Sequence, residues 1–132
     1  PQTEIAAPND TCLTDSDFSV SVEMTDGSAI SSLDSLIIYG KITAGTWSQL
    51  AVFVNIGGVR DDFQIILPYE GIWTLASVGV DESGNREPLP QSGDVVVTYD
   101  QTPPTANALS AIAQNDTIRA IATVSDNLVL GL

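Results

Sequence analysis

The stretch Gly71-Ile72-Trp73-Thr74-Leu75-Ala76-Ser77-Val78-Gly79-Val80-Asp81-Glu82-Ser83-Gly84-Asn85 decides the fold. From Ile72 to Val80 it is rich in apolar and β-branched residues, and it lacks the i, i+3, i+4, i+7 spacing of an amphipathic helix. It then breaks into a turn. Gly84 and Asn85 both tolerate positive φ, and Asp81 can accept bonds from the amides of its own turn. Trp73 lies in phase with Leu75, which predicts that both face the core from a central strand.

Working outward, Val95 to Tyr99 forms the next apolar run, reached through a loop that carries Pro88 and Pro90. Upstream, Phe18, Val20, Val22 and Met24 alternate with Ser19, Ser21 and Glu23, the pattern of a strand with one buried and one wet face, and Asp26-Gly27 closes it. Leu36 to Tyr39 is a short β-rich run ended by Gly40. Leu50, Val52, Val54 and Ile56 alternate with Ala51 and Phe53 before Gly57-Gly58, and Phe63, Ile65 and Leu67 follow, stopped by Pro68. These last two runs are expected to pair as a hairpin. About six or seven short strands at intervals near ten residues predict an all-β chain folded as an antiparallel sandwich.

Composition removes most chemistries. The 132 residues include 17 Asp plus Glu, 4 Lys plus Arg, no His and one Cys, for a formal net charge of -13. Without histidine there is no Ser-His-Asp or Cys-His catalytic set, and with one cysteine there is neither an internal disulfide nor a cysteine metal cage. The acidic balance lacks the basic footprint that nucleic acid or an anionic membrane surface demands. Hydrophobic residues make up 43% and charged residues 16%, a folding rather than a disordered composition. No apolar run approaches the roughly 18 residues of a membrane-spanning helix.

Asp100-Gln101-Thr102-Pro103-Pro104 marks a boundary, because two prolines remove backbone donors and stiffen the chain. Beyond it the sequence echoes its beginning: Asn115-Asp116-Thr117, Ile118 to Val124 and Ser125-Asp126 follow Asn9-Asp10-Thr11, Phe18 to Met24 and Thr25-Asp26. Residues 1–101 are therefore assigned to one sandwich. Residues 102–132 are assigned to a Pro-rich linker and either an incomplete second repeat or a strand segment that docks on a neighbour.

The run Gly71 to Leu75, the turn Val80 to Asn85 and the ending Val95 to Pro104 resemble the bacterial Ig-like repeats of surface and secreted proteins. The resemblance implies an Ig-like sandwich of about seven strands and an extracellular or cell-surface location. It implies a non-catalytic spacer or adhesive repeat whose partners are neighbouring repeats or subunits of the same protein, with a surface glycan or protein as a further ligand. Two positions depart from the pattern: Gly79 replaces a small apolar residue, and the loop from Arg86 to Gly93 is long.

The candidate sites follow from the acids, the tryptophans and the acceptor asparagines. Calcium needs six to eight oxygens, and tandem modules gather them at junctions, which nominates Asp81, Glu82, Asp100 and Asp126 as metal ligands, with Glu87 and Asn127 nearby. No Asp-x-Asp-x-Asp-Gly loop is present, so these acids are read first as solvated turn residues, with Ca2+ as the alternative and no other cofactor expected. The one enzymatic chemistry left open, glycoside hydrolysis, needs two facing carboxylates, and Asp61-Asp62 would point to opposite faces of a strand. The chain is read as not an enzyme. Trp47, after Gly45-Thr46, is the candidate platform for a sugar ring in a carbohydrate-binding reading. Asn9 and Asn115 are both N-x-Thr glycosylation acceptors. Cys12 is expected to pack as a small apolar residue near the first strand. A further reading makes the chain a filament subunit, with Ile118, Ala120, Ala122 and Val124 forming one face of a strand added to a neighbour.

Overall fold

The computed structural model describes residues 1–56 and 62–128. Its first unit, Pro1–Asp100, contains β1 (Thr3–Ile5), β2 (Cys12–Leu13), β3 (Asp17–Met24), a 3-10 turn at Ile30–Ser32, β4 (Leu33–Ile42), β5 (Ser48–Val54), β6 (Asp62–Ile66), β7 (Gly71–Asp81) and β8 (Val95–Tyr99). Its second unit, Gln101–Leu132, contains β9 (Thr105–Gln114) and β10 (Thr117–Ser125). No α-helix occurs among the described residues.

The first unit is an all-β sandwich. One sheet has the order β1-β3-β6 and the other β2-β8-β7-β4-β5. Every pairing is antiparallel except that of β2 with β8. The alternation in β3 sets the first sheet: Val20 and Val22 are buried with Ile5, Phe63 and Ile65, while Ser19 and Glu23 face away. Leu36, Ile38, Trp73, Leu75, Val97 and Tyr99 meet them from the second sheet. The Trp73 indole N–H donates to the Tyr69 carbonyl at 3.0 Å, which satisfies its polar edge at the rim of the core.

The expected hairpin between the runs at 50–56 and 63–67 does not form. β5 pairs with β4, Ile37 opposite Val52, and β6 pairs with β3, Val20 opposite Phe63, so the two runs lie in different sheets. The cause is the demand of their neighbours. Leu36, Ile37 and Ile38 are all buried, which makes β4 a central strand with β5 and β7 on its two sides. The change of sheet brings Phe53 and Phe63 together across the core, ring centroids 4.9 Å apart.

Cys12 also departs from expectation. Leu13 packs against the core, so the period of two turns Cys12 outward on a two-residue edge strand, and its side chain is exposed.

In the second unit, β9 and β10 pair from Thr105 opposite Ser125 to Gln114 opposite Thr117, joined by Asn115-Asp116. Asn115 has φ 56°, as a tight two-residue hairpin turn requires. Every residue of β10 is exposed.

Candidate functional site

The strand β7 runs eleven residues, but β8 covers only Gly71 to Leu75 of its edge. Beyond Leu75 that edge would leave buried backbone groups unpaired. The loop from Arg86 to Asp94 fills it. Its main chain follows the edge, with the Glu87 N–H donating to the Gly79 carbonyl at 3.0 Å and the Asp94 N–H to the Leu75 carbonyl at 2.8 Å. Its two acidic side chains meet the remaining donors. The Asp94 carboxylate accepts from the Ser77 N–H at 2.8 Å and the Ser77 hydroxyl at 3.1 Å, and Glu87 accepts from the Gly79 N–H at 3.0 Å.

The same two carboxylates reach the other sheet. Glu87 accepts from the Thr3 N–H at 2.9 and 3.0 Å and from the Thr3 hydroxyl at 2.6 Å, and Asp94 accepts from the Ile5 N–H at 3.1 Å. β1 therefore has β3 on one edge and two carboxylates on the other. Donors at Thr3 and Ile5 face donors at Ser77 and Gly79, and two donors cannot pair without an acceptor between them. A charged carboxylate with several lone pairs supplies that acceptor, and such bonds are stronger than neutral ones. Glu87 and Asp94 thus latch the two sheets together along one edge.

The latch accounts for both departures from the repeat pattern. A Cβ at position 79 would lie 3.0 Å from Leu33 Cδ2 and 3.0 Å from Thr3 Cγ2, so glycine admits β1 to the edge of β7. Gly93 has φ +73°, and a Cβ there would lie 2.4 Å from Thr74 Cγ2 and 3.1 Å from the Leu75 carbonyl. Only glycine brings the loop back onto β7 in time to place Asp94.

Within the first unit, the nominated metal ligands Asp81 and Asp100 do not come together. Asp81 is engaged within its own turn: one carboxylate oxygen accepts from the Ser83 and Asn85 amides at 2.9 and 2.8 Å, the other from the Asn85 side chain at 2.8 Å. Those Asn85 bonds hold its carboxyl below the ordinary range. Glu82 is exposed beside it. Asp100 follows Tyr99, which sits opposite Gly71, at the other end of β7 from Asp81 and roughly 30 Å away along the strand. Asp126 belongs to the second unit and accepts from the Asn127 amide at 2.7 Å. Among the described residues, no three His, Cys, Asp or Glu gather as a metal site.

Trp47 is half-buried, and one face of its ring is taken by the Lys41 ammonium, 4.7 Å from the centroid. Asn9 and Asn115 are both exposed. Asp62 is exposed on β6, and Asp61 lies outside the described residues. A groove of about 260 Å³, lined by Ile5, Phe18, Val20, Val95 and Val97, has Asp62 as its one acid among the described lining residues.

The latch residues Thr3, Ser77 and Asp94 were not nominated by the sequence. The signal for Ser77 was a polar residue inside an apolar run, and for Asp94 a carboxylate immediately before Val95. No family model, curated protein or solved structure matches this chain.

Proposed function

We propose that this chain is a non-catalytic, extracellular Ig-like module, a spacer or adhesive repeat of a bacterial surface or secreted protein. The observation that carries this reading is a strand pair that opens both units. β1 meets the end of β3 with Thr3 opposite Met24, two residues before Asp26. β9 meets the end of β10 with Thr105 opposite Ser125, one residue before Asp126. Between β8 and β9 stand Pro103 and Pro104, which stiffen the short connector. The Ig-like assignment is supported by an N-terminal segment divided between the sheets, β1 pairing with β3 and β2 running parallel to β8.

The function is then mechanical. The carboxylates serve as fasteners within the module, and prolines fix its spacing from the next.

A second reading is favoured by Ile118, Ile121 and Val124, which are exposed on β10. An exposed strand of this kind is a donor for a neighbouring subunit's sheet, and the chain would then build a filament. Limited proteolysis of the full chain with sizing separates the two. The spacer reading expects cleavage between Asp100 and Thr105 in a monomer, with the main melting transition unchanged. Polymers in which β9 and β10 resist protease would overturn it in favour of the filament.

A further inference from the structure

The first unit is strung between opposite ends of β7. Thr3 shares the Glu87 carboxylate with Gly79, and Ile5 shares the Asp94 carboxylate with Ser77, so β1 runs antiparallel to β7 and away from its Asp81 end. β8 runs the same way, from Val95 opposite Leu75 to Tyr99 opposite Gly71, and β2 is parallel to β8. Pro1 therefore lies toward one end of β7 and Asp100 leaves at the other. Tension between them pulls β1 along its own axis.

We propose that the latch made by Glu87 and Asp94 is the load-bearing clamp of the sandwich, and that withdrawal of β1 limits its unfolding under tension. A strand pulled along its axis loads all its bonds at once. The bonds of β1 alternate between two partners. Toward β3, the Gln2 carbonyl accepts from the Thr25 N–H at 2.9 Å and the Ala6 N–H donates to the Ser21 carbonyl at 2.9 Å, while the Thr3 and Ile5 N–H groups turn to Glu87 and Asp94. On the outer, three-stranded wall Glu4 stands opposite Glu23, a like-charge pair that adds nothing to the hold. The strength lies on the latch side, where the acceptors are charged and are themselves anchored on β7 through the Ser77 and Gly79 amides. β2 comes next along the chain and is shielded until β1 gives way, and it has two residues and one partner strand. The second unit is the contrast: Thr105 stands opposite Ser125, so tension enters β9 and β10 at one end of the hairpin and opens it pair by pair. The proposal deepens the spacer reading, which is what puts tension along the chain, and concerns the sandwich alone.

Single-molecule pulling of the full chain, through handles fused at Pro1 and Leu132, tests it. The sandwich is identified by its gain in length, roughly 300 Å for Pro1 to Asp100, and the hairpin by a shorter gain at lower force. Glu87→Ala should raise the rate at which the sandwich unfolds at a fixed force by about tenfold or more, and Glu87→Gln, which keeps one acceptor oxygen, by less. Phe53→Leu lies on the edge strand β5, away from the path of the load. It should lower stability in denaturant yet leave that rate within about twofold, because contacts still intact when β1 withdraws do not set the barrier. Pulling from position 28 instead of Pro1, with Ser28→Cys and Cys12→Ser, bypasses β1 and should abolish the effect of Glu87→Ala. A rate that Glu87→Ala leaves unchanged would overturn the proposal. So would equal acceleration by Phe53→Leu, or an effect of Glu87→Ala that persists when force enters at position 28. Polymers in the sizing experiment would instead overturn the spacer reading and leave the pulling result standing, so the two fail separately.

Discussion

Glu87 and Asp94 at the latched edge, and Glu4, Glu23, Asp17 and Asp62 on the three-stranded wall, are the same chemistry put to opposite uses. At the edge each carboxylate is surrounded by donors: Glu87 accepts from Thr3 and Gly79, Asp94 from Ile5 and Ser77. On the wall, Glu4 and Glu23 stand directly opposite each other on neighbouring strands. The difference teaches that these six acids form two populations. One holds the sheets together, and the other keeps the surface charged at a small cost in stability.

The comparison is broken most sharply at Glu87. Glu87→Ala leaves the Thr3 and Gly79 amides without their acceptor and should lower stability by about 3 kcal/mol, as the loss of charge-assisted bonds to partly buried donors does. Glu87→Gln keeps one acceptor oxygen and should lose about half of that. Denaturant unfolding reads both, and an effect below a few tenths would show that the latch is not a fastener. Asp94→Asn is expected to behave like Glu87→Gln.

The next test leaves the carboxylates in place and moves the loop that carries them. Gly93→Ala demands a left-handed conformation of alanine and drives a Cβ against Thr74 and the Leu75 carbonyl. A loss of about 2 kcal/mol is expected. Hydrogen exchange should show the loss at the Ile5 and Ser77 amides, the two that Asp94 accepts. Unchanged protection there would separate Gly93 from the latch.

How far these features can be read from the sequence depends on the distance between partners. The Asp81 turn is legible because its donors, Ser83 and Asn85, lie within four residues. The buried face of β3 is legible because alternation is local. The latch is not, because Glu87 and Thr3 are 84 residues apart and Asp94 and Ile5 are 89 apart. β1 and β2 have three and two residues, too few to show a period. The pairing of β5 with β4 rather than β6 is decided by which strand has a free edge, and no local signal carries that. On β5, moreover, Val52 and Val54 are exposed while Ala51 and Phe53 pack inward, so apolar residues occupy both faces and alternation cannot say which is buried.

A third population, the turn acids, separates from both by its response to acid. Ser28 and Asn85, as hydrogen-bond donors, hold the Asp26 and Asp81 carboxyls below their ordinary value. A carboxyl depressed in the folded state contributes stability that is fully present above its unfolded value, near 3.8, and is lost as the pH falls through the folded value. The stability these turns contribute should therefore be constant between neutrality and about pH 4, and melting temperature should decline below it. Asn85→Ala should shrink the part due to Asp81. A decline that begins near pH 6 would assign the acid response to other groups.

The smallest effect, and the one that bears most directly on the wall, is a gain. Glu4 and Glu23 are directly opposite on neighbouring strands, the arrangement in which like charges repel most. Glu23→Gln removes the repulsion, keeps the length of the side chain and leaves its outward position unchanged. Stability should rise by about 0.3 kcal/mol at low salt, and the gain should vanish at high salt, where exposed charges are screened. The salt dependence matters more than the size, because a packing or propensity effect of the same magnitude would persist. Gln at position 87 and Gln at position 23 should then shift stability in opposite directions, although both substitutions exchange a glutamate for its amide. A loss of stability in Glu23→Gln would place Glu23 among the fasteners and remove the division between the two regions.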